Sequence, residues 1–278
     1  MKIVLAGTPD FAVKPFEAVI NNFEVVAIVS QPDRPANRGY TLKPTPTKLL
    51  AQKYNIPLFQ PEKIGDIYQE LQALDFDILL TCAFGQYIPE KVLNLPKKCA
   101  INIHGSLLPK YRGAAPIQYS LLNGDKQTGL SLIYMTKQMD AGAILKTASI
   151  AIDDLDTSDS LFVKLSELAS ANIVSWLKDI ETNNFTETIQ DQSLVTLSPK
   201  LSKEDAYISF ETDKTTAFNK IRAFSSNPGA YVVIDSKRVK IYYASLNKVK
   251  NALILKFSDG ELYATDYQYE TKKRVKII

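Results

Sequence analysis

Asn102, His104 and Asp140 are the residues of this sequence whose types and spacing could carry out chemistry together. His104 is the only histidine among 278 residues, and it closes an apolar run at 99–104. Asn102 precedes it by two positions, so in a strand both side chains lie on the same side. An amide N–H beside an imidazole can stabilise an oxyanion, and an imidazole can carry protons near neutral pH. The ordinary alternative is a structural histidine.

Asp140 lies in the sequence MDAG at 139–142, which predicts a turn. A carboxylate there could orient the imidazole or fix its charge, although an aspartate in a turn often has only a structural role. No serine or cysteine is placed as a nucleophile, because Ser106 follows His104 without the elbow motif of a serine hydrolase. Residues 7–11 (GTPDF) lack the spacing of a dinucleotide site and the lysine of a P-loop, so neither NAD nor ATP is expected.

The elements that must position these residues are apolar runs alternating with helical patterns. Strands are predicted at 2–6, 24–30, 77–83 and 99–104, and helices at 11–20, 47–54 and 64–74. Continuous apolarity indicates strands buried on both faces, as in a parallel sheet covered by helices. The fold class is therefore α/β, a doubly wound domain in which ligands bind beyond the carboxyl ends of the strands. His104 lies at such an end.

The rest of the chain predicts a second, different domain. Strands are expected at 129–135 and 143–152, followed by a long helix at 157–180 that Thr157 caps. Short Tyr, Val and Ile runs separated by turn signals then follow a helix near 215–223, which favours a small β-barrel. We expect an N-terminal catalytic domain at 1–180, a polar linker at 181–203 and a C-terminal β-barrel at 204–278.

Composition and charge limit the classes of protein. With 45% hydrophobic and 23% charged residues the chain is an ordinary soluble protein. Residues 201–278 contain 14 Lys and Arg against 9 Asp and Glu, a net charge of +5. This excess favours a polyanionic partner, although solubility alone would also account for it. Cys82 and Cys99 are expected to be buried, reduced thiols, and neither a signal peptide nor a membrane span is predicted. A cytoplasmic location follows.

Several motifs together carry a family resemblance. Asn102-x-His104, SLLPKYRGAAPIQ at 106–118 and Asp140 resemble the hallmark of the folate-dependent formyltransferases. The supporting segments are AGTPDFAV at 6–13, QPDRPANRG at 31–39, LSKEDAYISF at 201–210 and IRAFSSNPGAY at 221–231. Within the family the sequence is most similar to the branch that acts on methionyl initiator tRNA. The resemblance implies a Rossmann-like formyltransferase domain followed by an OB-like β-barrel that binds tRNA.

The implied reaction transfers the formyl group of 10-formyltetrahydrofolate to the α-amino group of methionyl initiator tRNA. Asn102 and protonated His104 would stabilise the tetrahedral oxyanion, and Asp140 would orient His104 and help move the proton. The folate is a co-substrate that leaves as tetrahydrofolate, and no metal is expected. The residues implied to line the folate pocket are Phe84, Gly85, Ile88, Ser106, Leu107, Leu108 and Pro109. Phe84 and Ile88 could equally be core residues.

The implied tRNA contacts lie in a loop and in the C-terminal domain. Arg38 stands where the family has an important arginine in the Pro- and Gly-rich loop at 31–46, which also carries Lys43. Tyr40 and Thr41 follow where the family often has lysines. The basic residues expected to contact phosphates in the C-terminal domain are Lys237, Arg238, Lys240, Lys273 and Arg274. That domain is shorter than is usual in the family, so a trimmed barrel is expected.

Three other functions remain open at this stage. A nucleotide-sugar N-formyltransferase would share the Asn-His-Asp core but would not need a basic β-domain. A hydrolase or dehydrogenase acting on 10-formylfolate would release formate, and the dehydrogenase would be fused to a further domain. An RNA-binding module without catalysis would not need Asn102, His104 and Asp140. A monomeric enzyme is expected.

Overall fold

The computed structural model describes residues 1–36 and 41–277. It divides into two compact units along discontinuous stretches of chain. The first unit comprises Met1–Arg112, Gly129–Ser149 and Val163–Thr196, and the second comprises Gly113–Thr128, Ile150–Phe162 and Leu197–Ile278. The second unit thus includes two segments of the predicted catalytic domain, and the predicted boundaries at 180 and 203 stay predictions.

Strands and helices alternate along the chain up to residue 198. The strands are β1 (Lys2–Gly7), β2 (Glu24–Val29), β3 (Arg34–Ala36), β4 (Thr41–Lys43), β5 (Leu58–Phe59), β6 (Ile78–Cys82), β7 (Cys99–His104), β8 (Arg112–Gly113), β9 (Gln127–Tyr134), β10 (Ile144–Ala151) and β11 (Leu197–Ser198). The helices are α1 (Val13–Ile20), α2 (Pro46–Lys53), α3 (Tyr68–Ala73), α4 (Glu90–Leu93), α5 (Pro116–Leu122) and α6 (Ser158–Glu181). The predicted α/β class with a parallel central sheet is confirmed.

A seven-stranded sheet organises this part of the described chain, in the order β10-β9-β7-β6-β1-β2-β5. The strands from β7 to β5 in that order run parallel, whereas β9 is antiparallel to β7. All residues of β6 are buried, as expected for a strand covered on both faces. The chain moves from β1 to β2 and β5 in one direction, and then to β6 and β7 on the other side of β1. The carboxyl ends of the strands at such a reversal are the usual place for a ligand.

Several helices differ from their predicted bounds. The helix predicted at 11–20 starts at Val13, because Asp10–Ala12 form a 3-10 turn, and the one predicted at 64–74 begins with a 3-10 turn at Ile64–Ile67. The short helices α4 and α5 were not predicted. Pro116 starts α5, where its fixed φ and missing N–H suit the first helical turn. Thr157 caps α6 as expected, since its hydroxyl accepts from the Ser160 N–H at 3.4 Å.

The predicted linker at 181–203 contains three short elements. Residue Thr188 pairs antiparallel with Ile144, a 3-10 turn forms at Gln192–Leu194, and β11 follows. The sequence did not predict these elements, because hydrogen bonds between polar groups hold the segment and no periodic apolar stripe marks it.

The C-terminal segment forms an open antiparallel sheet. Its elements are α7 (Lys214–Phe224), β12 (Ala230–Ile234), β13 (Lys237–Ser245), β14 (Leu253–Phe257), β15 (Gly260–Tyr269) and β16 (Val275–Lys276). The order is β12-β13-β15-β14, with β16 on β15, and this ladder does not close within the described residues. The predicted closed barrel is therefore not confirmed. Helix α7 contacts β12, β13 and β15, so the strands bury an apolar face against a helix without closing on themselves.

No helix within the described ranges has the length and apolarity needed to cross a membrane.

Candidate active site

A backbone carbonyl fixes the orientation of the His104 imidazole. His104 is the last residue of β7 and is 5% exposed, and its Nε2 lies 2.8 Å from the carbonyl oxygen of Tyr111. Because a carbonyl can only accept, Nε2 must carry a hydrogen. The Tyr111 N–H in turn donates to the Thr196 hydroxyl at 2.9 Å. The other ring nitrogen, Nδ1, is thereby left as the one that gains or loses a proton.

Asp140 faces that second nitrogen. Its carboxylate oxygen Oδ2 lies 3.6 Å from Nδ1 of His104, and the two side chains are 12% and 5% exposed. This distance exceeds a direct hydrogen bond, so Asp140 and His104 attract each other through charge when the imidazole is protonated. Reduced contact with water strengthens such an interaction. The structure thus brings the two predicted residues together, while the carbonyl of Tyr111, rather than Asp140, holds the ring by a hydrogen bond.

The Asn102 side chain is oriented by a residue that the sequence analysis did not select. Thr81 lies beside Asn102 in the parallel register of β6 and β7, and its hydroxyl donates to Asn102 Oδ1 at 2.7 Å. The carbonyl end of the amide is therefore anchored, and the Nδ2 hydrogens point elsewhere. Among the residues that the structure describes, none forms a hydrogen bond with Asn102 Nδ2. The sequence signal that could have identified Thr81 is a polar residue inside the apolar run ILLTC, one position before the strand ends.

The segment Ser106–Pro109 is built as a fixed loop. Ser106 is 1% exposed, and its hydroxyl donates to the Lys110 carbonyl at 2.6 Å. The Ser131 hydroxyl donates to the Ser106 carbonyl at 2.8 Å and accepts from the Leu108 N–H at 3.0 Å. Leu108 packs against Ile133 and Ile144. A methyl group on Gly129 would lie 2.7 Å from Leu107 Cδ2, so Leu107 lies directly over β9.

The segment after β6 holds the other predicted folate residues. Phe84 and Ile88, each 5% exposed, belong to the hydrophobic core on one face of the sheet. Gly85 has a φ of +78°, and its added Cβ would lie 2.5 Å from Nε2 of Gln31. The same amide donates to the Phe84 carbonyl at 2.9 Å. The side chains of Phe84 and Ile88 thus pack in the core here, and their contact with folate stays a prediction.

The two thiols are not poised to react. Cys82 is fully buried, as expected, and burial raises its pKa. Cys99 is only half-buried, and burial raises the pKa of its thiol to about 11. Both therefore stay protonated near neutral pH, whereas a thiol nucleophile needs its thiolate form. Within the described ranges no group of three or more His, Cys, Asp or Glu side chains could hold a metal ion.

The residues predicted to contact tRNA lie in different parts of the chain. Arg38 lies outside the described residues, and Lys43 is exposed at the end of β4 in the first unit. The others lie on or beside the C-terminal sheet: Lys237, Arg238 and Lys240 on β13, and Lys273 and Arg274 in the turn before β16.

Arg238 and Arg274 both lie over aromatic rings. The Arg238 guanidinium lies 4.1 Å from the ring centre of Tyr231, and that of Arg274 lies 3.9 Å from the ring centre of Tyr242. Arg274 is also paired with the Asp266 carboxylate through two bonds of 2.6 and 2.7 Å, which raises its pKa. Arg238 is therefore the more available of the two arginines.

Comparison with known proteins shows the family of this chain. Residues 1–177 match the formyl transferase family, and residues 200–277 match the formyl transferase C-terminal domain. The chain belongs to the formyl transferase family. It is similar to the methionyl-tRNA formyltransferase of Mycoplasmopsis pulmonis, with 56% identity over 100% of this chain and 96% of that protein.

Solved structures of similar fold include two formyltransferases. WlaRD, a sugar 3N-formyl transferase crystallised with dTDP and 5-N-formyl-THF, has a TM-score of 0.74 and 21% identity, covering 98% of this chain and 99% of that one. An N-formyltransferase from Helicobacter canadensis, in complex with folinic acid and dTDP-3-aminofucose, has a TM-score of 0.74 and 18% identity, covering 97% and 100%. At these identities the likeness shows the fold of the formyl transferase and not its acceptor.

Replacing Thr81 by Val tests the anchoring of Asn102. Valine keeps the shape but loses the hydroxyl, so the Asn102 amide can rotate away from the orientation seen here. A hydrogen bond of this kind contributes about 0.5–1.5 kcal/mol, so kcat for formyl transfer should fall by roughly two- to thirteenfold, with KM for both substrates nearly unchanged. Steady-state formylation kinetics measure this, and Thr81→Ser, which keeps the hydroxyl, is the control. Wild-type kcat in Thr81→Val would refute the anchoring.

Proposed function

We propose that this formyl transferase moves the formyl group of 10-formyltetrahydrofolate to the α-amino group of methionyl initiator tRNA. The observation that carries the proposed acceptor is the 56% identity to a methionyl-tRNA formyltransferase over the whole chain. The cluster of Asn102, His104 and Asp140 at the carboxyl edge of the parallel sheet supports the formyl transfer itself. Both solved relatives were crystallised with a formylated or related folate, which supports a folate donor.

The chemistry begins with attack of the free α-amine on the formyl carbon. A C–N bond forms, and the carbonyl oxygen becomes a tetrahedral oxyanion. The N–H groups of Asn102 are the donors proposed to bind that oxyanion, because Thr81 engages the other end of the amide. The positive charge that His104 acquires when it takes a proton from the attacking amine adds to this stabilisation.

Proton transfer completes the reaction. With the Nε2 hydrogen engaged by the Tyr111 carbonyl, Nδ1 is the ring atom that exchanges a proton. In the neutral form it accepts the proton that the attacking amine must lose, directly or through water. The Asp140 carboxylate, 3.6 Å away, stabilises the imidazolium that results. The proton is then delivered to the folate nitrogen as the bond from the formyl carbon to that nitrogen breaks, and tetrahydrofolate leaves.

The folate would bind beside the Ser106–Pro109 loop, with the backbone after β6 at the other side of the pocket. Ser106 acts through its backbone and through ordering the loop, since its hydroxyl is already bonded to the Lys110 carbonyl. Leu107, Leu108 and Pro109 supply the apolar wall that a pterin ring needs.

The tRNA would contact the outer face of the C-terminal sheet, where Arg238 and Lys240 lie two positions apart on β13. Arg238 covers Tyr231, which stands on β12 opposite Lys240, so the surface combines positive charge with aromatic rings. Charge of this kind binds phosphates without reading sequence, and aromatic rings stack on unpaired bases. Lys237, Lys273 and Arg274 extend the charge, and Arg38 and Lys43 are assigned to the acceptor end of the tRNA from the resemblance alone.

The finer architecture belongs to the same proposal. The reversal of strand order at β1 supports a Rossmann-like doubly wound domain, and the C-terminal sheet is proposed to be an opened, trimmed relative of the OB-like barrel. A catalytic domain at 1–180, a connecting segment at 181–203 and a tRNA-binding domain at 204–278 complete it. A monomeric state and the cytoplasmic location that translation initiation requires are likewise proposed.

The acceptor is tested by offering three substrates in parallel. The protein is incubated with 10-formyltetrahydrofolate and methionyl initiator tRNA, methionyl elongator tRNA or an amino-sugar nucleotide. Formylation of initiator tRNA alone supports the proposal. Transfer to the sugar and not to tRNA would assign the chain to the acceptor type of the solved relatives.

His104→Ala and Asn102→Ala test the catalytic roles. Each removes a group proposed to stabilise the oxyanion, so kcat/KM for initiator tRNA should fall by about 10²–10³-fold, the loss seen when one such donor is removed in a hydrolase. Circular dichroism and thermal melting check that each variant is folded. Undiminished transfer by folded His104→Ala would remove the site assignment.

Charge reversal at Arg238 tests the RNA surface. In Arg238→Glu, KM for tRNA should rise and the slope of log KM against log salt concentration should fall by about one unit, because one phosphate contact is lost. The KM for folate should not change. Lys256→Glu is the matched control, since Lys256 is exposed on β14 at the far edge of the same sheet. An equal effect of the two variants would indicate a general charge effect rather than a contact at Arg238.

A further inference from the structure

Gln190 lies in the segment that the sequence predicts to be a linker, and its side chain makes three hydrogen bonds with residues outside that segment. It is 3% exposed. Its Nε2 donates to the Asp140 carbonyl and to the Gly142 carbonyl, each at 2.8 Å. Its Oε1 accepts from Nε of Arg112 at 2.9 Å. Both hydrogens and the oxygen of this amide are therefore used, which is how a buried polar group avoids the cost of burial.

The turn that carries Asp140 needs such support. Asp140 has a φ of +52°, in the left-handed region that residues other than glycine rarely adopt. Conformations of this kind persist where the surrounding structure determines them. Gly142 cannot carry a side chain, because an added Cβ would lie 1.9 Å from the Tyr134 carbonyl oxygen. Gln190 holds the carbonyls on both sides of Ala141 and so fixes the backbone from which the Asp140 carboxylate projects.

The same segment supports the opposite flank of His104. Arg112, which Gln190 binds, directly follows Tyr111, whose carbonyl accepts from the imidazole. Thr196 adds two further bonds, since its hydroxyl accepts from the Tyr111 N–H and its carbonyl from the Arg112 N–H, each at 2.9 Å. One stretch of chain therefore contacts both the loop that orients His104 and the turn that presents Asp140.

Gln190 is itself held in place by backbone pairing. Thr188 and Ile144 exchange two backbone hydrogen bonds of 2.8 and 2.9 Å. Gln190 follows Thr188 by two residues, and Gly142 precedes Ile144 by two. Because the pairing is antiparallel, Gln190 lies beside Gly142. The amide therefore reaches the turn from a fixed strand-like position and not from a free loop.

We infer that Gln190 is a positioning residue for formyl transfer: it sets the place of the Asp140 carboxylate relative to His104 Nδ1. The inference rests on the catalytic role proposed for Asp140. On this inference the segment after α6 does more than connect two domains, because one of its residues positions a group of the catalytic centre.

Gln190→Glu separates the contacts. The carboxylate still accepts from Arg112, so the buried arginine keeps its partner. Both N–H donors are lost, however, and carboxylate oxygens now face the carbonyls of Asp140 and Gly142. We expect the turn to shift and kcat to fall by about ten- to a hundredfold, as small misplacements of catalytic groups do, with KM for tRNA and folate changed less than twofold.

Gln69→Glu is the matched control, because it makes the same chemical change at an exposed position of α3. Gln192 would not serve, since its Nε2 donates to the Gln190 carbonyl at 3.2 Å and its Oε1 accepts from Arg112 at 3.4 Å. The kcat of Gln69→Glu should equal that of the wild type. Gln190→Met, which keeps the volume without polar atoms, is the second variant and should lower kcat in the same way. Thermal melting establishes the temperature at which every variant is folded, and kinetics are measured there.

Repeating the change in an Asp140→Asn background distinguishes positioning from general damage. If Gln190 acts through the Asp140 carboxylate, Gln190→Glu lowers kcat strongly in the wild type and by less than twofold in Asp140→Asn. The same loss in both backgrounds, or wild-type kcat in folded Gln190→Glu and Gln190→Met, would overturn the inference while leaving the proposed function intact. Wild-type kcat in Asp140→Asn would instead refute the proposed role of Asp140.

Discussion

The hydrogen bond from His104 Nε2 to the Tyr111 carbonyl is the constraint on which the rest of the site depends. It determines which ring nitrogen is held and which faces Asp140. A ring free to rotate or to change tautomer would present its lone pair to the wrong side, and Nδ1 would no longer stay beside Asp140. The bond requires Tyr111 to be in place, and Tyr111 has a φ of +65° and is tied to Thr196. The fold beyond residue 181 therefore contributes to the orientation of a side chain at residue 104.

The remaining groups follow the same principle, in which a protein atom occupies one end of a polar side chain and leaves the other end for chemistry. Thr81 engages the oxygen of Asn102, so its N–H groups are left for the oxyanion of the proposed reaction. Gln190 engages the backbone of the Asp140 turn, so the carboxylate is directed from a fixed position. Such preorganisation matters because an oxyanion is stabilised most by donors that need not reorganise as charge develops.

The sequence predicted those parts of the molecule that depend on side-chain type and period. Continuous apolar runs indicated the parallel sheet, and the spacing of Asn102 and His104 on one strand indicated their common side. Tyr111 escaped prediction because it acts through a backbone carbonyl, which every residue possesses. Gln190 lies in a polar stretch without a period, and its three partners come from distant parts of the chain. For Phe84 and Ile88 the sequence could not distinguish a pocket wall from a core, since the same apolar side chains suit both. The open C-terminal sheet was predicted as a barrel because alternation is the same whether the inner face meets other strands or a helix.

The orientation of His104 can be measured directly, because this chain contains a single histidine. The measurement is a long-range ¹H–¹⁵N correlation spectrum of ¹⁵N-labelled protein, recorded at a pH where the imidazole is neutral. The account predicts one dominant tautomer with the proton on Nε2 and a bare Nδ1, and loss of that preference when Thr196→Val removes the hydroxyl that holds Tyr111. A neutral imidazole protonated on Nδ1, or a rapidly averaging mixture of both tautomers in the wild type, would contradict the account.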